Sequence, residues 1–112
     1  FGHPLMDHQG LRWRLVDVAN ELDAANALVL RAAQLINAGE NAELAAAHAK
    51  KFATSRAISG IEHCMQSMGA NGLLRTHGLQ RQLAEVKMAS YADGTTEILN
   101  ERIGSHLRRR YS

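Results

Sequence analysis

Asp93 is the residue of this chain best suited to chemistry. It stands in Tyr91-Ala92-Asp93-Gly94-Thr95, a polar, glycine-bearing stretch in a sequence otherwise rich in alanine and leucine. A carboxylate in such a break can take a proton from carbon when a dry pocket raises its pKa. A second break, Gly69-Ala70-Asn71-Gly72, follows Gln66. Both breaks fall where helices end, and free backbone N–H groups there can meet a phosphate or another anion. Taken alone, neither break is specific. Helix hairpins need glycine stops, and an aspartate before a glycine is ordinarily a turn or cap residue.

The other reactive side chains point away from metal or disulfide chemistry. His3, His8, His48, His63, His77 and His106 contain no i,i+4 pair, and Cys64 is the single cysteine. No metal site is expected from that spacing. Cys64, beside Met65 and close to Met68, reads as a core or near-core side chain. A lone cysteine fits a reducing compartment, so the expected location is cytoplasmic, or the mitochondrial matrix or peroxisome in a eukaryote. The net charge is +2. Part of it sits in Arg108-Arg109-Arg110, which reads as a solvated helix end where cations offset the helix dipole. No nucleic-acid partner is expected, and no apolar run is long enough to span a membrane.

These residues must be held by helices. The chain has 112 residues with 46% hydrophobic, 21% charged and 4% aromatic content, enough for one globular domain with a core of small side chains. Asp7 is a plausible N-cap. From there Leu11, Leu15, Val18, Leu22, Ala25, Leu28/Val29, Ala32 and Leu35/Ile36 recur at helical spacing as far as Ala38-Gly39. Arg12, Arg14, Asp17, Glu21 and Asp23 mark the outer face. Asn41 is expected to start a second helix, with Leu44, Ala45, Ala49, Phe52, Ala53, Ala57, Ile58, Ile61, Met65 and Met68 on its apolar side, ending at Gly69. The short connection predicts an antiparallel hairpin. A loop over 73–77 precedes a third helix carrying Leu79, Leu83, Val86 and Met88. Thr95 or Thr96 can cap a fourth, with Ile98, Leu99, Ile103 and Leu107 as its apolar face. The expected fold is all-α, a four-helix up-and-down bundle.

The order of the motifs adds what no single one carries. The chain opens FGHPLMDHQG and runs through LRAAQLINAG and AAAHAKKFATSRA. MQSMGANGLLRTHGLQRQLAEVKM and then YADGTTEILNERI follow. Over its whole length this resembles the C-terminal helical domain of the acyl-CoA dehydrogenase family, with its opening Phe-Gly, its Gln-x-x-Gly-Gly-x-Gly and its Glu-Gly-Thr. The resemblance implies a flavoprotein whose N-terminal helical and middle β domains lie upstream. The chain, which begins at Phe1 without a methionine, then reads as a fragment of a larger protein.

The resemblance also implies roles for individual residues. Asp93 matches the catalytic base, which removes the α-proton of an acyl thioester while FAD accepts a hydride from the β-carbon. In the family the thioester carbonyl is hydrogen-bonded by the base residue's own backbone N–H and by a ribityl hydroxyl of FAD. Phe1 matches an aromatic residue near the flavin, and His8 and Gln9 a pair that contacts FAD. Gln66, Gly69 and Ala70 match the segment that holds the adenine side of FAD across a subunit interface. Thr95 and Glu97 match cofactor contacts after the catalytic turn, and Ala92 and Gly94 lie next to the substrate. Implied partners are an acyl-CoA or acyl-carrier thioester, a flavoprotein electron acceptor, and further copies of the chain in a homodimer or homotetramer. Two other readings stay open: another flavin chemistry on this fold, such as a nitroalkane oxidase or monooxygenase, and a non-catalytic helical oligomerisation module.

Five positions depart from the family pattern. Asp93 stands for the usual Glu, which shortens the reach by one methylene, about 1.5 Å. Ala70 replaces a glycine, where a positive φ would be costly. Ala84-Glu85 replaces an Arg-Asp pair, so an ion pair there is lost or rearranged. Ala92 stands where Tyr is common, which would open the pocket to a bulkier or branched acyl group.

Overall fold

The computed structural model describes residues 2–112. Phe1, expected near the flavin, lies outside the described residues. Four helices form the chain: α1 (Gln9–Asn37), α2 (Glu43–Met68), α3 (Leu79–Tyr91) and α4 (Thr96–Tyr111). Short 3₁₀ turns cover Leu5–Asp7, Gly69–Leu73 and Arg75–His77. No strand occurs among the described residues, and the all-α, four-helix expectation holds. No helix among them is long and apolar enough to cross a membrane.

Val18, Ala25 and Ala32, seven residues apart, are the buried positions of α1. A seven-residue repeat falls just short of two full turns, so the seam drifts slowly round the helix. Leu11, Leu15, Leu28 and Leu35 flank it half-buried. The buried residues of α2 are small, Ala47, Ala49 and Gly60. A Cβ at Gly60 would stand 3.0 Å from Val18 Cγ1, so the missing side chain is what lets the two axes approach.

The drift also corrects the expected faces. Glu21, assigned to the outer face, is half-buried in the seam and meets Arg56 at 3.1 Å. Leu22, assigned to the inner face, is exposed, and of the paired positions Leu28/Val29 and Leu35/Ile36 the first of each is half-buried and Val29 and Ile36 are exposed. Each exposed residue sits one position beyond a seam residue and turns away from α2.

The α1–α2 turn closes as a Schellman motif. Gly39 has φ +71°, its N–H donates to Ile36 O at 3.0 Å, and Glu40 N–H donates to Leu35 O at 2.9 Å. The expected helix starts move, the first by one residue and the second by two. Asp7 ends the first 3₁₀ turn, and α1 begins at Gln9 behind His8. Asn41 does not begin α2; its Oδ1 accepts from Glu43 N–H at 2.9 Å, so it satisfies the helix start from outside.

α1, α3 and α4 all pack on α2. α3 starts beside the end of α2, where Leu83 shares a groove with Met65 and Gln66. It stops at Tyr91, beside Thr54 and Ile58. α4 takes over there and runs on to Glu43, which Arg102 meets at 3.8 Å. Direction therefore alternates over α1, α2 and α3, and α4 continues in the sense of α3. The two read as one helix interrupted at 92–95. Such a divided strip buries a narrow face: Leu99 is buried and Ile103 half-buried, whereas Met88, Ile98 and Leu107, expected inside, are exposed. Glu85, in the altered Ala84-Glu85 pair, takes Arg81 as its partner at 2.7 Å, so the ion pair is rearranged within α3. The exposed Arg81 guanidinium is held above its ordinary pKa by the hydrogen bond and charge of Glu85.

Candidate functional site

The interruption between α3 and α4 brings the expected catalytic residue to a sharp corner. α3 ends on Ala92 in extended geometry, φ −69° and ψ 144°. Asp93 follows at φ +52°, the one non-glycine residue with positive φ among those described, and Gly94 at φ +109°. Asp and Asn tolerate the left-handed region better than other L-residues, and at φ +109° glycine is needed. Thr95 then returns to extended geometry and caps α4, its Oγ1 accepting from Ile98 N–H at 3.4 Å. The sequence expectation of a Thr cap with Glu97 in the first turn is met.

This turn is tied to the first third of α2 by Lys50. The ammonium donates to Gly94 O at 2.6 Å and also to Ala92 O. None of the amides of Asp93, Gly94 and Thr95 has an acceptor among the described residues. Ala92 and Asp93 are exposed, and Gly94 and Thr95 half-buried. Beside the turn lies an open groove of about 400 Å³, between Thr54 and Ile58 of α2, Ser90 and Tyr91 of α3, and Thr96 and Glu97 of α4. The hydroxyls of Thr54, Ser55, Ser90, Tyr91 and Thr96, the Lys87 ammonium and the Glu97 carboxylate line it, which gives a polar ligand both donors and acceptors. Asp93 is exposed, and these residues do not enclose its carboxylate.

Gln66, Gly69 and Ala70 come together elsewhere. They line a second groove of about 400 Å³ with Met65, Leu73 and Leu83. Gly69 closes α2 at φ +59°, and its N–H donates to Gln66 O. Ala70 lies in the 3₁₀ turn without a positive φ, so replacing glycine there costs the backbone nothing. His8 and Gln9 belong to this same end of the molecule. The antiparallel register that pairs Val18 with Gly60 and Glu21 with Arg56 sets the start of α1 beside the end of α2. The residues predicted to hold a cofactor thus divide into two stations. Lys50 and Gln66 lie about 24 Å apart along α2, at ~1.5 Å per residue.

Lys50 is absent from the sequence expectation. Its signal was present but faint. It sits among alanines, with Ala46, Ala47, Ala53 and Thr54 at its i±3 and i±4 positions. With no carboxylate at these spacings on its own helix, the ammonium is left to water or to acceptors on another element. A larger groove of about 560 Å³, with Phe52 and Ile103 in its floor and Arg31, His48, Lys51 and Arg56 among its walls, also includes no predicted site residue.

Comparison with known proteins adds to this geometry. The sequence profile described as acyl-CoA dehydrogenase, C-terminal domain, matches residues 1–108. An acyl-CoA dehydrogenase of Bacillus subtilis (strain 168) is 34% identical over 107 residues, 96% of this chain and 28% of the relative. A chain in the structure of an electron transferring flavoprotein of Acidaminococcus fermentans superposes with a TM-score of 0.93 at 29% identity, over 97% of this chain and 29% of the other. The FAD complex of PigA superposes with a TM-score of 0.89 at 24% identity, over 98% and 29%, a likeness of fold. The chain spans about a quarter of the length of the curated relatives it matches.

Proposed function

The chain belongs to the acyl-CoA dehydrogenase family, within which it matches the C-terminal domain, and from that premise we propose that it serves an FAD-dependent dehydrogenation of an acyl thioester. The observation that carries the reading is the Asp93 corner. A carboxylate stands at a left-handed turn, with three successive amides free of protein acceptors and Lys50 tying the turn to α2. In this reading the Asp93 carboxylate takes the α-proton of the thioester, and the Asp93 N–H donates to its carbonyl as negative charge builds there.

The residues present suit FAD. The free amides of Gly94 and Thr95 offer donors to a flavin or a diphosphate. At the other station the exposed Gln66 amide offers hydrogen bonds, and a Cβ at Gly69 would meet nothing within 4 Å, so a ligand can approach the backbone closely. Thr95 and Glu97 would serve the first part of the cofactor, and His8, Gln9, Gln66, Gly69 and Ala70 the adenine side. FAD, when bound, supplies the acceptor for the hydride that leaves the β-carbon. The walls that keep water from Asp93 come, in this reading, from the rest of the parent protein.

The separation of the stations favours an assembly in which one subunit's Gln66 station serves its neighbour's flavin, as a homodimer or homotetramer. Trp13 and Val16, 60% and 56% exposed on α1, would be covered by a further copy or by the parent's other domains. The electron acceptor is a second flavoprotein and the compartment a reducing one.

The test is an anaerobic titration of the FAD-loaded parent protein with straight, branched and aromatic acyl-CoAs, followed by flavin absorbance, with Asp93→Asn alongside. Bleaching by a thioester that the variant loses supports the reading. No bleaching by any thioester, with stoichiometric oxygen consumption on a nitroalkane, would transfer the fold to oxidase chemistry.

A further inference from the structure

The geometry points to Lys50 as the positioning residue that aims the backbone amide of Asp93 at the substrate carbonyl, an inference that rests on the dehydrogenase reading above. Lys50 Nζ donates to two carbonyls of the same turn, Ala92 O and Gly94 O, on either side of Asp93. No cis peptide bond occurs among the described residues. In a trans peptide the C=O and the following N–H point in opposite directions. Holding Ala92 O against Lys50 therefore turns Asp93 N–H away from α2, and holding Gly94 O does the same for Thr95 N–H. Both amides lack acceptors among the described residues, so each can bind a ligand.

The cation also acts on the strength of these donors. An ammonium on a carbonyl oxygen draws charge through the peptide group and makes its N–H a better donor, the cooperative effect of linked hydrogen bonds. A carbonyl whose oxygen gains charge during α-proton removal is the ligand that profits most. The same contact has a plainer consequence, because Ala92 is the C-cap of α3 and a cation there offsets the helix dipole. A purely capping lysine would change stability and leave the chemical step alone, so the two roles separate by experiment.

Lys50→Met and Lys50→Arg are made in the FAD-loaded parent, and two quantities are read: the anaerobic rate of flavin bleaching by a saturating thioester, and hydrogen exchange over residues 88–99. In Lys50→Met, with FAD content retained, the bleaching rate falls by at least about tenfold. The thioester dissociation constant changes by less than about threefold, since the aimed amide matters most in the transition state. Exchange over 88–99 accelerates while the rest of the chain keeps its protection. Lys50→Arg, which keeps a cationic donor, recovers most of the rate. A Lys50→Met protein that bleaches within about twofold of the parent rate overturns the proposal, as does unchanged exchange at the turn. If Lys50→Met does not fold, the same criteria are applied to Lys50→Gln, which keeps one donor group and loses the charge. If no thioester bleaches even the unaltered parent, the dehydrogenase reading has failed. The exchange measurement then decides alone whether Lys50 holds the turn, and unchanged exchange overturns it.

Discussion

Gly72 packs so tightly on Met65 that a Cβ there would stand 2.6 Å from the Met65 carbonyl oxygen and 2.8 Å from its Cα. Both are backbone atoms of the last turns of α2, which cannot swing aside as a side chain would. Gly69, three residues earlier, has open space around it and needs glycine only for its φ of +59°. The two glycines therefore do different work in one short segment. Gly72→Ala is expected to destabilise the fold by about 1–3 kcal/mol, the usual result of forcing an atom into a packed contact. Gly69→Ala should cost a comparable amount, about 1–3 kcal/mol, for a different reason: φ +59° with ψ −140° is a conformation that residues with a side chain rarely adopt. Urea unfolding of both variants checks the two costs. If Gly72→Ala unfolds within about 0.5 kcal/mol of the parent, the close approach at Gly72 is not what fixes the end of α2.

Asp93 separates charge from shape in a similar way. Asn shares the tolerance of Asp for the left-handed region, so Asp93→Asn should keep the turn and its stability within about 0.5 kcal/mol. It removes only the base, and flavin bleaching should fall by about 10²–10⁴. Asp93→Glu keeps the base but lengthens its reach and fits φ +52° less well. In a pocket built for Asp it should lose about tenfold to a hundredfold. A Glu variant faster than the parent would mean that the turn is set for the longer side chain.

Glu21 and Arg56 offer a measurable contribution to the α1–α2 seam. Their 3.1 Å contact is only partly shielded, with side chains about a third exposed. Solvent screens such a pair, so a double-mutant cycle with alanine should give a coupling of about 0.5–1 kcal/mol. High salt should weaken it. A coupling indistinguishable from zero would make Glu21 an incidental member of the seam.

Much of this architecture was legible in the sequence, for identifiable reasons. Periodicity marks helices well, and all four were found, with Gly39 and Thr95 at the positions their chemistry favours. The seam was less legible because several registers of one alanine- and leucine-rich helix are nearly equivalent. Only packing against α2 selects Glu21 and Leu28 over Leu22 and Val29. The site was half legible. Asp93, Gly94 and Thr95 advertise a turn, but the left-handed conformation of Asp93 follows from the meeting of α3 and α4 on α2. Lys50 escaped because its partners are backbone carbonyls, which every residue has and which therefore leave no mark in a sequence.

The distance between the two stations leads to a test of how subunits share a site. The Asp93 turn and the Gln66 groove lie about 24 Å apart along one helix, at ~1.5 Å per residue. If each flavin is held by the Asp93 station of one subunit and the Gln66 station of its neighbour, two defective variants should repair one another. Asp93→Asn lacks the base. Ala70→Trp, at an exposed position in the Gln66 groove, blocks the adenine side without entering the core. Alone, each is expected to be inactive. Co-expressed, a mixed pair has one site with an intact base facing an unblocked groove. Statistical mixing should then restore about a quarter of the parent's flavin-bleaching capacity in a two-fold assembly. If both stations served the same flavin within one chain, every mixed pair would carry one defect per site, and co-expression would restore nothing.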